Sequence, residues 1–488
     1  MTTYLTDMKI LLAEDTKSMR KIEIKLLRSI GLDNIIEAED GVAAVEILEE
    51  HDDIDLIISD WNMPNMGGYE LLLRVRGSDR HSTIPFIMAT AQADRAQAQK
   101  AQEAGVSGFL PKPFTVEEIE NIIEQICGKC KKQPDEKILG PTVAASGKAL
   151  LRVAHIQITD HIILGILRDQ IDKGEVAPKH FELELQCMKS WNPVEQALDK
   201  GHVDAAFILA PIAQDLFHHN TPIKLTLMAH RGGSMFVRNN QGSYTTPFTS
   251  FFKQKSFLIP HKLSIHHMLA HIFFDKLGLN ASLEKGEDVD INLEVVAPID
   301  MPKFLQENEG VGGFMVAEPI GSKSVKAGIA SAKFLSTELW SGHPCCVVAM
   351  RDDFTSQFSD AAYEFIDLLV KAGKFVSQNP EQSADIAVRF LDPDGKLGLD
   401  AAILKRVLTD PLGIKTDNLF PLLQDFENAQ RYMHDEMGVG AIVDLTKFID
   451  TRYVEAACPD MAPTPGKLNA HIMRVAEIMG RNGLTAAL

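Results

Sequence analysis

Four short apolar runs near the start of the chain are each followed within two residues by polar or charged side chains. The runs are Lys9–Ala13, Leu56–Ile58, Pro85–Ala89 and Gly108–Leu110. Runs rich in Ile and Leu predict strands that are buried on both faces. The polar positions just after them lie at carboxyl ends of strands, where open α/β sheets place their ligands. These positions are Glu14, Asp15, Asp60, Thr90 and Lys112.

The carboxylates at these strand ends predict a cation. Asp60 stands in the stretch Ser59–Pro64, and the pair Gly67-Gly68 then closes the strand with a turn. Three clustered carboxylates repel one another unless a cation lies among them, and oxygen-only ligands with open positions suit Mg²⁺. The alternative is a solvated acidic cluster with an incidental Thr and Lys. Five such positions in register argue against it.

In these features, the stretch from Met8 to Cys130 resembles the receiver domain of two-component response regulators. The resemblance implies that Asp60 accepts a phosphoryl group from a sensor histidine kinase or a phosphotransfer protein. It also implies that Mg²⁺ is held by Glu14, Asp15, Asp60 and the Asn62 carbonyl, and that the phosphoryl oxygens are contacted by Thr90 and Lys112. By the same resemblance, the small Ala91 side chain leaves the phosphoryl group accessible and Phe109 turns inward as a switch. The Lys112–Pro113 bond is then expected to be cis.

The middle of the chain alternates strand-like runs with helical segments. The predicted strands are Leu150–Ile158, Phe181–Cys187, Val203–Ile208, Leu225–Ala229, Ser256–Ile259, Leu293–Ala297, Gly313–Val316 and Val347–Met350. Regular βα alternation predicts parallel sheets, here two, joined by crossing segments near Phe236-Val237 and Val347. From Ser359 to Ala457 the pattern is mostly helical.

Two stretches carry a second resemblance. They are Gly201–Ala206, followed by Leu209-Ala210-Pro211, and the closing stretch Asp444–Ala457. Through these two stretches, the segment from Ala149 to Cys458 is similar to the solute-binding proteins of nitrate, sulfonate and bicarbonate ABC transporters. It is also similar to the pyrimidine-precursor proteins related to them. The implied fold class is α/β: a flavodoxin-like receiver domain, then a two-lobed type II periplasmic-binding fold with a helical C-terminal extension.

In two-lobed folds a ligand lies among the strand-to-helix turns, whose free N–H groups favour anions. We therefore expect a small, anionic solute. Simpler roles as helix caps or packing residues stay open for single members of the set. The candidate residues are Thr159, Asp160, His161, Ser190, Trp191, Ala210, Pro211, His230 and Ser234 from one lobe, and Ser264, His266, Asp300 and Glu318 from the other.

Composition narrows the class of protein. A net charge of −18 and a pI near 5.4 argue against nucleic-acid binding. The chain starts without a signal-peptide pattern and has no apolar run long enough to span a bilayer, so we expect a cytoplasmic protein without membrane insertion. Six cysteines are too few and scattered for a disulfide framework. Cys127 and Cys130 are interpreted as incidental thiols.

The pair Cys345-Cys346, after His343, faintly resembles a metal-binding cysteine cluster of the pyrimidine-synthase branch. Two adjacent thiols cannot easily face one metal, so we interpret them as buried strand cysteines.

These observations predict four segments: a receiver domain at 1–130, a linker at 131–148, a solute-binding domain at 149–458, and a second linker with a helix over Leu468–Met479 at 459–488. The favoured function is a phosphorylated response regulator whose second domain binds a small solute as sensor or output. The alternative is a receiver-regulated enzyme that transforms its ligand. No convincing nucleophile–base set is visible in the second domain, which favours binding.

Overall fold

A computed structural model describes residues 8–112 except 52, 79 and 91–94, positions 118, 119, 122, 123 and 126, and residues 140–458 except 242–246 and 284–287. The chain divides into two compact units, Met1–Glu136 with Ser282–Val295 and Lys137–Ala281 with Val296–Leu488. Strand pairing places Ser282–Val295 in a sheet of the second unit, and it is described there. Each unit is described by itself.

Strands and helices alternate in the amino-terminal unit. In chain order they are β1 (Ile10–Ala13), α1 (Lys17–Ser29), β2 (Ile35–Ala38), α2 (Gly41–Glu50), β3 (Leu56–Asp60), α3 (Gly68–Arg76), β4 (Phe86–Thr90), α4 (Arg95–Glu103) and β5 (Gly108–Pro111). The sheet order is β2-β1-β3-β4-β5, and every pair is parallel. In this order the chain reverses direction across the sheet between β1 and β3, the edge where such folds bind ligands.

The three central strands of this sheet, β1, β3 and β4, are buried on both faces. Ile10 and Leu12 pack into one core, whereas Leu11 and Ala13 pack into the core on the opposite face. Successive side chains of a strand point to opposite faces, so an uninterrupted apolar run fits a sheet covered by helices on both sides. The strands predicted here from their apolar runs are thus present.

The second unit contains two sheets. Strands of the first sheet are β6 (Thr142–Val143), β7 (Ala149–His155), β8 (Phe181–Cys187), β9 (Ala205–Leu209), β10 (Ile223–Met228) and β17 (Cys346–Arg351). Strands of the second sheet are β11 (Ser234–Asn239), β12 (Lys255–Ile259), β13 (Ala281–Ser282), β14 (Ile291–Val295), β15 (Val311–Ala317) and β16 (Ala330–Leu335). We call these sheets with their helices lobe I and lobe II.

Lobe I has the order β10-β17-β9-β7-β6 with β8 also paired to β7, and lobe II has the order β13-β14-β12-β15-β11-β16. The prediction of purely parallel sheets is wrong in part, because β17 runs antiparallel to β9 and β10, and β11 runs antiparallel to β15 and β16. The short strand β6 also runs antiparallel, to β7, in a local hairpin. The other two exceptions, β11 and β17, are strands that enter one lobe from the other. They arrive against the direction of that lobe's own βα units.

The crossings also differ from the prediction. Phe236-Val237 lies inside β11, and the chain passes between lobes through residues 229–233 and 336–345, which we call the first and second crossing segments. Arg231, in the first crossing, donates hydrogen bonds of 2.8 Å to the carbonyl oxygen of Gly342 in the second crossing and 2.8 Å to Asp425 Oδ2. The two crossings are therefore fastened to each other.

Helices cover both sheets and fill the rest of the second unit. After a 3₁₀ turn at Thr159–His161 they are α5 (Ile162–Asp172), α6 (Trp191–Asp199), α7 (Ala210–His218), α8 (Phe248–Phe252), α9 (Ile265–Lys276), α10 (Met301–Glu307), α11 (Ile320–Lys326), α12 (Ser336–Leu339), α13 (Asp352–Gln357), α14 (Ser359–Gln378), α15 (Pro380–Leu391), α16 (Ala401–Thr409), α17 (Leu423–Arg431), a π turn (Tyr432–Glu436), α18 (Leu445–Phe448) and α19 (Arg452–Ala457).

The predicted linker 131–148 is partly structured. Thr142-Val143 pairs antiparallel with Leu150-Ala149, so the end of this stretch forms a hairpin with β7. The turn contains Gly147 at φ 86°, a conformation that glycine adopts without strain. The predicted helix Leu468–Met479 and the pair Cys127 and Cys130 lie outside the described residues.

Candidate functional site

The first candidate site lies at the carboxyl ends of β1 and β3. Carboxylate oxygens of Glu14, Asp15 and Asp60 come within 4.8 Å of one another. They meet because β1 and β3 are neighbours in the sheet although they are distant in sequence. This all-oxygen donor set fits the preference of Mg²⁺, so these three side chains could hold such an ion.

A buried lysine faces this acidic group. The Lys112 Nζ forms a short ion pair with Glu14 and lies 3.2 Å from Asp60 Oδ1 and 3.2 Å from Glu23 Oε1. Burial opposes the charge of Lys112, but attraction to Asp60, Glu14 and Glu23 outweighs it and raises the pKa of the ammonium well above 10.5. Lys112 is therefore a fixed positive charge beside Asp60.

Asp60 is the most accessible member of this ion-paired group. Its side chain is 13% exposed, against 7% for Lys112, 3% for Glu23 and 1% for Glu14. The Trp61 backbone N–H donates a 2.9 Å hydrogen bond to Asp60 Oδ1, which fixes the carboxylate. A Cβ at Gly68 would lie 2.1 Å from the Asp60 carbonyl oxygen, so glycine allows α3 to begin close beside it.

The structure also places the other residues named from the receiver resemblance. Thr90 is buried at the end of β4, Phe109 is half-buried on β5, and Asn62 is exposed in the loop after β3. Ala91 and the Lys112–Pro113 bond, predicted to be cis, lie outside the described residues. The strand ends thus gather the predicted acidic residues and Lys112, while the roles assigned to all these residues stay predictions.

Glu23 is the residue of this site that the sequence analysis missed. It lies on α1, is buried, and contacts Lys112. Burial raises its pKa from 4.5 to about 8, and Glu14 and Asp60 add to the increase while Lys112 opposes it. A signal was present: Glu23, Leu27 and Ile30 follow the i, i+4, i+7 spacing of a core-facing helix stripe.

The second candidate site lies where the two crossing segments meet the 3₁₀ turn of lobe I. Ligand atoms of Asp160, His230, Cys345 and Cys346 come within 4.8 Å of one another, and all four residues are fully buried. From Asp160 Oδ2, the distances are 2.9 Å to His230 Nε2, 3.4 Å to Cys346 Sγ and 3.6 Å to Cys345 Sγ. We call these four residues the cleft cluster.

Further buried histidines and hydroxyls surround the cleft cluster. His266 Nε2, from α9 of lobe II, lies 2.8 Å from Ser234 Oγ and 4.0 Å from Cys345 Sγ. In addition, Thr159 Oγ1 donates a 2.6 Å hydrogen bond to the carbonyl oxygen of Glu318. Residues predicted from both lobes therefore do meet in one place.

Burial and pairing set the charges of the cleft cluster. Burial raises the pKa of Asp160, although His230 counteracts it. For His230 burial acts in the opposite direction, but attraction to Asp160 prevails and raises its pKa to about 10. The hydrogen bond from Cys346 lowers the pKa of Cys345, whereas burial raises that of Cys346. The result is a buried Asp–His ion pair beside two thiol groups that both face the Asp160 carboxylate.

Two of the predicted ligand residues have structural partners, a third is exposed, and ligand contact by all three stays a prediction. Ser264 Oγ accepts a 3.0 Å hydrogen bond from the His267 N–H and caps α9. The Glu318 carboxylate accepts hydrogen bonds of 2.6 Å and 2.9 Å from Ser322. Asp300 is exposed at the start of α10.

The remaining predicted residues lie beside the 3₁₀ turn and on the lobe I helices. Trp191 packs edge-on against His161 with ring centroids 5.8 Å apart, next to the buried Ser190. Ala210 and Pro211 are buried in the first turn of α7. These positions provide packing, and ligand contact by them stays a prediction.

For the cysteine pair, the prediction of burial is confirmed, but the premise that two adjacent thiols cannot face one point is wrong. Cys345 and Cys346 are indeed buried, but both sulfur atoms face Asp160 Oδ2. Side chains alternate faces only inside a strand. Cys345 precedes β17, so its thiol is not bound by that alternation. The signal in the sequence was His343-Pro344-Cys345-Cys346, which has too few potential ligands to predict a site without the residues of the first crossing.

Two protein families match the chain. Residues 10–124 match the response regulator receiver domain, and residues 144–391 match the NMT1-like family. Chemotaxis protein CheY of Pseudomonas aeruginosa is 43% identical over 125 residues, which are 25% of this chain and 100% of that protein. Chemotaxis protein CheY-3 of Vibrio cholerae is 40% identical over 120 residues, 25% of this chain and 92% of that protein.

The chain therefore belongs to the NMT1-like family and carries a response regulator receiver domain at its amino terminus. Solved structures agree with the fold. The ligand-binding component of an ABC-type import system from Staphylococcus aureus, with zinc bound, matches with a TM-score of 0.55 at 19% identity, covering 63% of this chain and 98% of that one. The periplasmic nitrate-binding protein NrtA from Synechocystis PCC 6803 matches with a TM-score of 0.56 at 16% identity, covering 69% and 92%.

Both resemblances and the predicted fold class are thus confirmed: a receiver domain precedes a type II binding-protein fold. At these identities the solved structures bear on the fold alone. Within the described residues, the helices are all too short or too polar to cross a bilayer.

Proposed function

We propose that this chain is a cytoplasmic two-component response regulator. A histidine kinase or phosphotransfer protein phosphorylates Asp60, and the second unit binds a small solute as sensor or output. The observation that carries the proposal is the placement of Asp60: it is the most accessible of the buried ion-paired group, 3.2 Å from the Lys112 ammonium and within the carboxylate group of Glu14 and Asp15.

The residues present can support phosphoryl transfer. An Asp60 carboxylate oxygen attacks phosphorus, and a new O–P bond forms while the donor's bond to phosphorus breaks. Lys112 offsets the repulsion between the carboxylate and the phosphoryl oxygens. Glu14, Asp15 and Asp60 would hold Mg²⁺, which when bound supplies further positive charge against those oxygens. Thr90, at the end of the adjacent strand, offers a hydroxyl to the product.

The test uses the full chain, a small phosphodonor and Mg²⁺, with intact-mass measurement of bound phosphoryl. Wild type should gain one phosphoryl group. Asp60→Asn keeps the shape but cannot form the acyl phosphate, so it should gain none. Asp53→Asn is the matched control, because Asp53 is a surface carboxylate of the same domain with 69% exposure. Undiminished phosphorylation of Asp60→Asn would overturn the assignment.

The two-lobed fold and the buried polar groups at the crossings support solute binding by the second unit. The anionic charge predicted for the solute stays a prediction, because the histidine and cysteine side chains that contact Asp160 are paired with that carboxylate. The proposal is therefore a small solute of unspecified charge. Native mass spectrometry of the purified full chain tests it: a retained small molecule supports the proposal, and a ligand-free chain that binds none of a solute panel contradicts it.

The alternative function, an enzyme in the second unit, also has one supporting observation. Cys345 Sγ lies 4.0 Å from His266 Nε2, a nucleophile near a base. If the retained molecule is recovered with altered mass after incubation with wild type but intact after incubation with Cys345→Ser, the enzyme is favoured. Recovery of the same molecule from both favours binding.

A further inference from the structure

We propose that the cleft cluster, Asp160, His230, Cys345 and Cys346, binds one Zn²⁺ ion or a similarly thiophilic divalent cation. The proposal goes beyond the solute-binding function and does not depend on it. It also concerns different residues from the acidic group of the receiver domain.

The first argument is spacing. Zn²⁺ bonds to sulfur, nitrogen and oxygen at about 2.0–2.3 Å, so a tetrahedral site holds its donor atoms roughly 3.3–3.8 Å apart. From Asp160 Oδ2, the Cys346 and Cys345 sulfurs lie at 3.4 Å and 3.6 Å. His230 Nε2 is closer, at 2.9 Å, which is the spacing of a direct hydrogen bond. Small side-chain shifts would therefore open a position between the four donors.

The second argument is the chemistry of the donors. One carboxylate, one imidazole and two thiols form a set that suits Zn²⁺ and excludes Mg²⁺ and Ca²⁺, which prefer oxygen ligands. On binding, the thiol protons of the cysteines and the proton shared by Asp160 and His230 pass to solvent, and each donor bonds to the cation. The net charge of the ligands then offsets the charge of the ion.

The third argument is burial. All four residues are fully buried, and Asp160 Oδ1 and His230 Nδ1 have no hydrogen-bond partner among the described residues. Removing a carboxylate and an imidazolium from water is costly, and their mutual attraction often fails to offset that cost. Buried polar atoms without a partner require an explanation, and an ion bound among them is one.

The location predicts what the ion would do. His230 belongs to the first crossing segment, Cys345 ends the second, and Asp160 lies in the 3₁₀ turn of lobe I. Bonds from one ion to all three would link both crossings to lobe I. Because two-lobed domains open and close at such crossings, the ion would restrict that motion, and an open state would give it access.

Co²⁺ is the probe, because it replaces Zn²⁺ and is coloured. The reduced, chelator-treated full chain is titrated with Co²⁺ in the presence of Mg²⁺, which competes at oxygen-only sites. One equivalent should produce the charge-transfer absorption of a thiolate–Co²⁺ bond together with the visible bands of tetrahedral Co²⁺, and Zn²⁺ should abolish both. Wild type that shows no thiolate–Co²⁺ absorption overturns the proposal, whatever any variant does.

Two variants locate the site. Cys345→Ser/Cys346→Ser should lose the absorption and bind the ion at least about tenfold more weakly. Even changes to residues that only hydrogen-bond to metal ligands lower metal affinity by about 10- to 100-fold. The control, Cys127→Ser/Cys130→Ser, removes the other close cysteine pair of the sequence and should keep both. Absorption that persists in the first variant, or that disappears only in the second, overturns the proposal. Circular dichroism verifies that each variant is folded.

Discussion

Protonation of Glu23 should make the stability of the receiver domain depend on pH. Glu23 is buried on α1 and its carboxylate is 3.2 Å from Lys112 Nζ, with Glu14 and Asp60 on the other side of that lysine. Burial raises the pKa of Glu23 from 4.5 to about 8 in the folded domain. Lys112 stays charged across this range because its pKa is raised well above 10.5.

The sign and size follow from proton linkage. At pH values between 4.5 and about 8 the folded state keeps the Glu23 proton and the unfolded state releases it. The stabilisation is therefore complete below 4.5 and is lost as the pH rises through about 8. One proton of difference corresponds to a fall of about 1.4 kcal/mol per pH unit, on the order of 3 kcal/mol in total from about pH 5 to about pH 8.

The assay is urea unfolding of the full chain at several pH values in EDTA, which keeps divalent ions out of the acidic group. Hydrogen-exchange mass spectrometry of peptides covering β1 and β3 follows the receiver domain. Glu23→Gln keeps the shape without the titrating proton, so it should match wild type near pH 5 and show a flatter dependence above it. Glu50→Gln, an exposed change on α2, is the control and should follow wild type.

The reasoning is refuted if Glu23→Gln and wild type lose stability with the same slope. It is also refuted if wild type shows no loss between these pH values. Either result would mean that the Glu23 carboxylate is ionised inside the fold and fully compensated by Lys112.

Three further predictions concern single side chains. Asp15→Ala removes one charged donor of the acidic group, so phosphorylation from a small donor should lose its Mg²⁺ dependence; an unchanged Mg²⁺ titration contradicts this. Thr90→Ala should still be phosphorylated, yet hydrogen exchange around Phe109 should respond weakly; a response equal to wild type means that the switch does not run through Thr90. Asp204→Asn should destabilise lobe I by about 3–5 kcal/mol in urea unfolding, because it leaves the Arg152 guanidinium buried without its bidentate partner. Adding Arg152→Met in the same chain should restore part of this loss. If the two changes are fully additive, the loss of the Arg152–Asp204 pair is not its cause.

The sequence by itself determined the receiver fold and the acidic group. Apolar runs such as Leu56–Ile58 predict strands, because a sheet with helices on both sides requires both faces of each strand to be apolar. Asp60 and Glu14 follow such runs directly, and parallel strands bring their carboxyl ends to one edge whatever the detailed packing. Local pattern therefore predicts this group. The stretch Gly201–Ala206 likewise leads into a strand, β9. Its Asp204 side chain accepts a hydrogen bond from Arg152, a contact that the pattern did not predict.

Tertiary structure alone decided the rest. Glu23 becomes part of the receiver site only because α1 packs its core-facing stripe over Lys112, a contact between residues far apart in the chain. The cleft cluster depends on the two crossings, which bring Asp160, His230 and Cys345 together from distant positions. A strand that enters a lobe through a crossing runs antiparallel to its neighbours. Residues of the crossing itself lie outside the strand, so their side chains need not alternate between the two faces of the sheet. For that reason the sequence pattern predicted neither the antiparallel strands β11 and β17 nor the convergence of both thiols on one carboxylate.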